Sequence, residues 1–156
     1  MNAMTRIPLF IAAILVFSGF ANGQMPKAAA ASKTSVADSA LKPQSSPAYA
    51  EVLLKRTELQ SDLESLILEY TEDYPKVKEL RYTLGLIQKE TQRIIAVKPA
   101  ETAKLTLALG KLMVKKVELE TELWGLQANY KDDHPDVKRA KRKVEIYETA
   151  IKEILG

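Results

Sequence analysis

The stretch LEYTEDYPKV, residues 68–77, interrupts a long run of helix-forming sequence with two tyrosines, acidic residues and a proline. Proline lacks a backbone N–H and clashes with the preceding helical turn, so Pro75 cannot lie inside a straight helix. At the first position of a new helix that N–H would be unpaired anyway. Tyr74 is driven toward an extended conformation by the proline that follows it. The stretch therefore predicts the end of one helix and the start of the next.

A second stretch of the same kind, ANYKDDHPDV, occupies residues 128–137. When residue 55 is superposed on residue 115, at least ten residues recur identically. Lys55, Glu58, Leu59, Leu63, Leu66, Tyr70, Asp73, Pro75, Val77 and Lys78 return at positions 115, 118, 119, 123, 126, 130, 133, 135, 137 and 138. The repeat contains two helices, so we interpret the chain as two related helical hairpins in tandem.

Apolar residues from residue 48 onward follow alternating steps of three and four, which places them on one face of each helix. The segment AVKPAET, residues 96–102, supplies a third break, with Pro99 opening the next helix. We predict helices near residues 48–71, 75–96, 99–131 and 135–155, joined at the two repeated stretches by loops of three or four residues. Such short loops require the flanking helices to run antiparallel.

The predicted fold is all-α, with two tandem antiparallel helical (coiled-coil) hairpins over residues 48–96 and 97–156. Further apolar residues lie off the main faces, namely Leu53, Ile67, Leu68, Leu86, Ile95, Leu107, Met113, Val117 and Ile146. They indicate a second contact, either between the hairpins in an up-down-up-down four-helix bundle or between subunits. Arg56 and Lys116 share a core-type position, where we expect the stem to pack and the charge to reach solvent.

The N-terminal residues differ in kind from the rest of the chain. Arg6 precedes an apolar run over residues 7–20, and Ala21 and Gly23 are small residues before a cleavage point. This pattern predicts a secretory signal peptide at residues 1–23, with an uncleaved N-terminal anchor as the alternative. Residues 24–47 are rich in Ala, Ser and Pro and predict a flexible linker. We therefore expect a periplasmic or secreted protein without a membrane span after cleavage.

Composition excludes several classes of protein. The chain has 156 residues, about one domain's worth, and no cysteine, so neither disulfides nor thiolate metal sites can form. A net charge of +3 is too weak a bias to indicate nucleic acid. The sequence contains no nucleophile–base motif, glycine-rich phosphate loop or HExxH, and we expect no catalytic residue, cofactor or metal.

The repeated stretches resemble the periplasmic coiled-coil hairpins of polysaccharide co-polymerases, the chain-length determinant and exopolysaccharide export proteins. The matching residues are Tyr70, Tyr74, Pro75 and Val77, and again Tyr130, His134, Pro135 and Val137. The resemblance covers the hairpins only, because that family also carries two membrane spans and a membrane-proximal α/β domain. It implies a hairpin geometry and a connection with polysaccharide export or envelope assembly.

Residues of the two stretches are predicted to form hairpin turns rather than chemical sites. These are Tyr70, Asp73, Tyr74, Pro75, Val77, Tyr130, Asp133, His134, Pro135 and Val137. His134 beside several aspartates could be read as a metal site, but the first copy has Tyr74 there, which favours a ring that packs the turn. We expect Asp73 and Asp133 to accept hydrogen bonds from backbone N–H groups in the turns.

Two features are candidates for an interface. One is the basic segment Lys138, Arg139, Lys141, Arg142 and Lys143, which could bind an anionic polysaccharide or lipid, or could be a solvated helix face. The other is Trp124, which could contact a partner or pack between the hairpins.

The first hypothesis is a non-catalytic exported coiled-coil protein of the cell envelope that associates with itself or with envelope partners. The alternatives are a small periplasmic helical-bundle enzyme and a binding module for an anionic polymer. An enzyme such as a secreted chorismate mutase would need cations and a Glu or Gln converging inside the bundle. The sequence does not locate such a buried polar set.

Overall fold

The computed structural model describes residues 42–156, and within them it is all-helical with no strand. The predicted signal peptide, residues 1–23, and residues 24–41 of the predicted linker lie outside this range. Four α-helices follow one another, α1 (Pro47–Ile67), α2 (Pro75–Ile95), α3 (Leu107–Gln127) and α4 (Pro135–Leu155). Each has 21 residues and is about 32 Å long. The predicted all-α class is confirmed.

The two repeated stretches form the same connection. In each, two N–H groups bond to one helical carbonyl, as at Glu69 and Tyr70 with the oxygen of Leu66, and at Asn129 and Tyr130 with the oxygen of Leu126. Tyr74 N–H then bonds to Thr71 in the first copy, at the place where His134 bonds to Lys131 in the second. Pro75 and Pro135 each occupy the first turn of the next helix, as predicted.

The connections are longer than expected. α1 ends at Ile67 and α3 at Gln127, so seven residues, 68–74 and 128–134, join the arms instead of three or four. The tyrosines at positions 70 and 130 therefore lie beyond the helices and are exposed, although their spacing continues the heptads. The reason is that a tight turn closed by two N–H bonds to one carbonyl ends each helix four residues before the expected place.

The predicted start of the third helix is wrong. Residues Pro99–Lys104 form a 3-10 helix, and α3 begins only at Leu107. The hydroxyl of Thr106 accepts a hydrogen bond from Leu109 N–H at 3.3 Å, which makes Thr106 the N-cap. Leu105 is buried in the core as a connecting residue, and its carbonyl accepts a hydrogen bond from Ala48 N–H at 3.2 Å.

The end of the predicted linker is ordered as well. Residues Pro43–Ser45 form a second 3-10 helix, and Ser46 caps α1 by accepting from Tyr49 N–H at 3.2 Å. The hydroxyl of Ser46 also donates to the carbonyl of Pro43 at 2.6 Å. α1 therefore begins at Pro47, inside the range predicted as linker.

The two hairpins, α1–α2 and α3–α4, pack side by side into a bundle. α3 is the central helix, since it contacts α1, α2 and α4, and α1 runs parallel to it. The fully buried side chains between the arms include Val52, Val77, Ile87, Ile94, Leu105, Leu109, Met113, Val117, Val137 and Ile151. Met113 and Val117 lie off the heptad faces, so the contact that they predicted is hairpin against hairpin.

One close approach brings α1 and α3 together. A Cβ atom at Gly110 would lie 2.8 Å from Glu51 Cβ and 2.9 Å from the backbone of Ala48. These separations are shorter than any ordinary contact, so only glycine allows this spacing of the two helices. Gly110 thus sets how closely the second hairpin docks on the first.

Candidate functional site

The first hairpin tip is a stacked and ion-paired turn. The rings of Tyr70 and Tyr74 stack with centroids 4.2 Å apart. Lys78 pairs with Asp73 at 2.9 Å, and Arg81 forms an ion pair with Glu72. The hydrogen bond from Lys78 lowers the pKa of Asp73, and that from Arg81 lowers the pKa of Glu72. Both carboxylates are therefore charged partners of basic side chains across the turn.

The second tip repeats the stack with a histidine. The rings of Tyr130 and His134 have centroids 4.2 Å apart, so His134 packs as Tyr74 does. Nδ1 of His134 accepts a hydrogen bond from Asp136 N–H at 3.2 Å. Lys141 pairs with Asp132 at 3.0 Å, and hydrogen bonds from Gln127 and Lys141 lower the pKa of Asp132.

The structure corrects the roles expected of the turn aspartates. Asp73 pairs with the Lys78 ammonium, whereas the equivalent residues Asp133 and Lys138 form no ion pair within residues 42–156. The Asp132–Lys141 pair of the second copy corresponds instead to the Glu72–Arg81 pair of the first. The backbone N–H at the start of α4 bonds to the His134 ring. Within residues 42–156 no three His, Asp or Glu side chains lie together in a way that could hold a metal ion.

The basic segment at the start of α4 is largely ion-paired. Arg139 pairs with Asp136 at 3.6 Å, and Arg142 pairs with Glu145 at 3.1 Å. Lys141 pairs with Asp132 as above, and Lys143 lies 3.9 Å from Glu122. Ala140, within the same segment, is buried. Four of the five cations thus face acidic side chains, while Lys138 is exposed.

Trp124 packs between the hairpins. Its ring stacks on Tyr82 of α2 with centroids 5.0 Å apart. Thr83 and Thr121 share a hydrogen bond of 2.9 Å in the same layer, and burial raises the pKa of Tyr82. Of the two interpretations left open for Trp124, the structure places it in the internal contact.

An open groove of about 490 Å³ lies beside this layer. Its lining combines apolar and small side chains with both signs of charge, from Lys55, Leu59, Asp62, Lys76, Glu79, Leu80, Thr83, Glu118, Thr121, Glu122 and Gly125. Lys55 pairs with Glu118 at 3.3 Å, and Lys76 pairs with Glu79 at 2.6 Å. These two pairs engage four of the six charged side chains that line the groove. The other two are Glu122, which lies 3.9 Å from Lys143, and Asp62.

A buried ion cluster joins the hairpins closer to the other end of the bundle. The Lys116 ammonium lies 2.6 Å from a carboxylate oxygen of Glu90 and 3.0 Å from one of Glu148. Arg93 contacts both oxygens of Glu148 at 3.0 and 3.1 Å. Lys116 and Glu90 are both buried, and Glu120 lies 3.7 Å from Lys116. The cluster draws together α2, α3 and α4.

The partners in this cluster outweigh the cost of burial at two of its groups. Burial disfavours the charged form of Lys116, but hydrogen bonds to Glu90 and Glu148 raise its pKa overall. Burial likewise opposes the charge on Glu148, but hydrogen bonds from Arg93 and Lys116 lower its pKa overall. At Glu120 burial prevails and raises the pKa.

This cluster corrects two expectations. The charge of Lys116 does not reach solvent, because Glu90 on the neighbouring hairpin offers it a buried partner. A buried polar set of cations and glutamates does exist inside the bundle, contrary to the sequence analysis. Hydrophobic periodicity could not reveal it, although a Glu and a Lys at core-type positions of different helices were the available signal. Among the described residues every buried side-chain nitrogen and oxygen has a hydrogen-bond partner.

Large apolar side chains remain on the described surface. Leu68 at the first tip is 86% exposed, Leu54 on α1 is 58% exposed and Ile146 on α4 is 54% exposed. Ile67, Ile95 and Leu107 are also exposed. Within residues 42–156 no helix has an apolar stretch long enough to cross a membrane.

Comparison of the chain with protein-family models, with curated proteins and with solved structures finds no match in any of the three. The resemblance to co-polymerase hairpins therefore continues to rest on the tip residues themselves.

Proposed function

We propose that this protein is a non-catalytic interaction protein of the cell envelope, exported by its N-terminal segment and active in the periplasm or outside the cell. Its two helical hairpins belong to one compact unit, whose exposed apolar side chains are available to a second copy of the chain or to envelope proteins. Polysaccharide export or envelope assembly is the process that the tip residues suggest by their resemblance to co-polymerase hairpins.

The observation that supports this proposal is the contrast between the bundle's interior and its surface. Inside, the buried Lys116 and Glu90 pair with each other and with the half-buried Glu148 and Arg93, and they link the hairpins. Within residues 42–156 no buried side-chain nitrogen or oxygen lacks a hydrogen-bond partner. Outside, Leu54, Leu68 and Ile146 expose most of their apolar area at a cost of about 25 cal/mol per Å² kept in water. Burial of such side chains against a partner would remove that cost.

The ion cluster is the specific observation that favours an enzyme as the second candidate. A catalytic site would need its charged groups to face a space that admits substrate. Lys116 and Glu90 are buried against each other, and neither lines the groove of about 490 Å³ described above. The third candidate, an anionic-polymer module, has less support because most cations of the basic segment are ion-paired.

Site-specific photo-cross-linking in exporting cells tests the proposal. A photoreactive amino acid is placed singly at Leu54, Leu68 or Ile146, and at the exposed polar positions Gln88 and Glu153 as matched controls. We expect cross-links to envelope proteins or to further copies of this chain at one or more apolar positions and not at the controls. Equal cross-linking at apolar and polar positions would contradict the proposal.

A further inference from the structure

The contact between the hairpins is built from unlike surfaces of two like units. Hairpin 1 contributes one side of α1 and α2, on which Ala48, Val52 and Ile87 are fully buried. Hairpin 2 contributes the opposite side of α3, where Gly110, Met113 and Val117 are buried. Because the hairpins are repeats, each also carries the surface that the other uses.

The side of hairpin 2 that corresponds to the docking side of hairpin 1 is an open groove. A groove of about 420 Å³ is lined by Ala108, Lys111, Leu112, Lys115 and Tyr147. In the sixty-residue repeat these five positions correspond to Ala48, Glu51, Val52, Lys55 and Ile87. In hairpin 1, Ala48, Val52 and Ile87 are buried and the other two positions are half-buried. In hairpin 2 all five positions are more exposed, being either half-buried or exposed.

The outer side of α1 carries the complementary surface. The positions that correspond to Gly110, Met113 and Val117 are Ala50, Leu53 and Thr57, small or apolar residues that are exposed or half-buried. Leu54, 58% exposed, lies beside them. Hairpin 1 thus has on its outside the face that hairpin 2 uses on its inside.

The charged residues at the contact between the hairpins also recur on the two open surfaces. Within the chain, Lys55 of hairpin 1 pairs with Glu118 of hairpin 2 at 3.3 Å. Both residues recur in the repeat, as Lys115 at the rim of the open groove and Glu58 on the outer side of α1. Among the described ion pairs, these two have partners only within their own hairpins, Lys115 with Glu118 and Glu58 with Lys55. A second copy would bring Lys115 against Glu58 as Lys55 meets Glu118.

We infer that the groove of hairpin 2 binds the outer side of α1 from a second copy of this chain, in the arrangement by which hairpin 2 docks on hairpin 1. This inference rests on the proposed function and names the partner and the surface. The contact joins two different surfaces, so it leaves one of each free and adds copies head to tail. Ala50 has a methyl group where Gly110 has none, so α1 of the second copy lies farther from the groove than α3 lies from α1 within the chain. The contact between copies is therefore weaker than the internal contact.

Charge reversal tests the arrangement with the protein in the form that exporting cells accumulate. Analytical ultracentrifugation over a range of concentrations should show growth beyond a dimer for the natural chain. K115E and E58K should each weaken assembly about tenfold, since like charges then face each other. The double variant K115E/E58K should regain assembly. An equimolar mixture of the two single variants should also assemble beyond a dimer, with the two variants alternating, because each contact between unlike variants then pairs opposite charges. Loss of assembly in both single variants, without recovery of assembly in the double variant, would overturn the inference.

Cross-linking gives a second and independent measurement. The chain has no cysteine, so K115C and E58C each carry one thiol. A short bis-maleimide should join K115C to E58C in a mixture, and neither variant to itself. The variant K55C/E118C, linked within one chain, is the positive control. Self-linking of K115C would instead show a two-fold dimer, and linking of K115C to a thiol placed at Ser35 of its own chain would show that the N-terminal segment fills the groove.

The experiments distinguish a failure of the self-assembly inference from a failure of the proposed function. If K115C and E58C do not link while Leu68 or Ile146 cross-links to another envelope protein, the self-assembly inference is wrong and the interaction role stands. If neither self-linking nor any partner is found, both are wrong.

Discussion

The two hairpins share their turns but differ where they touch each other. Equivalent residues at the tips form the same backbone hydrogen bonds and the same kind of ring stack in both copies, although Tyr74 is replaced by His134 in the second. At the contact between the copies the residues differ, with Gly110 for Ala50, Lys116 for Arg56 and Trp124 for Glu64. The repeated residues therefore build a hairpin, and the diverged residues add to the repeated Lys55–Glu118 pair in docking one hairpin on the other.

The largest effect is expected at Lys116. Lys116→Met leaves the buried carboxylate of Glu90 without the ammonium at 2.6 Å, so we expect a loss of about 3–5 kcal/mol in the free energy of unfolding. Arg56→Met, at the equivalent position of hairpin 1, is the matched control and should cost less than about 1 kcal/mol. Urea denaturation followed by circular dichroism measures both. Equal losses of unfolding free energy in the two variants would show that Lys116 is not more important to stability than Arg56.

Gly110 offers the next largest contrast. Gly110→Ala forces a methyl group against Ala48 and Glu51, so we expect a loss of about 1–3 kcal/mol. Gly125, in the same helix, has nothing within 4 Å of an added Cβ, and Gly125→Ala should stabilise the protein by about 0.5–1 kcal/mol. Thermal unfolding of the two variants gives the signs. A neutral Gly110→Ala would mean that the helices are not in close contact here.

Acid should weaken the ion cluster through Glu148. Its pKa is lowered in the folded protein, so its contribution to stability is present above the ordinary glutamate pKa of 4.5 and is lost as pH falls through the lowered value. Glu148→Gln should lower stability at neutral pH and flatten the acid decline. Glu120→Gln should act in the opposite sense, because the pKa of Glu120 is raised. Urea titrations at a series of pH values measure the slopes, and parallel slopes in all three proteins would contradict this account.

The smallest effect is expected from exchange of the tip rings. Tyr74→His and His134→Tyr each keep a flat ring stacked on the preceding tyrosine, so we expect changes within about 0.5 kcal/mol. The measurement is repeated with and without added Zn²⁺. If zinc stabilises the natural chain and His134→Tyr abolishes that effect, His134 binds metal and the second tip is more than a turn.

Local features were predictable from the sequence and non-local ones were not. Pro75 and Pro135 start helices wherever the chain goes, because the missing N–H is a property of the residue itself. Pro99 starts a 3-10 helix and not the predicted α-helix, because proline at the first position is compatible with either. The hydroxyl of Thr106, which caps α3, was the better signal for the start of that helix. The cluster around Lys116 escaped prediction because its partners lie on other helices, at residues 90 and 148.

The candidate surface sites show the same contrast between local features, which were predictable, and non-local features, which were not. A ring that packs each tip was predicted from the exchange of Tyr74 for His134, but its stacking on the preceding tyrosine was not. The neutralised state of the basic segment was not predicted, because Lys141 and Lys143 find their acids across a turn or on the facing helix α3. The open groove of hairpin 2 becomes visible only when its lining is compared with the covered positions of hairpin 1.

The most direct test of this division is a double-mutant cycle across the two hairpins. Glu90→Leu and Lys116→Met are made singly and together, and the free energy of unfolding is measured by urea denaturation for all four proteins. The account predicts that the double variant loses less than the sum of the single losses, with a coupling of about 1–3 kcal/mol. Additive losses would mean that Glu90 and Lys116 do not hold the hairpins together, and would contradict the claim that diverged residues make the contact.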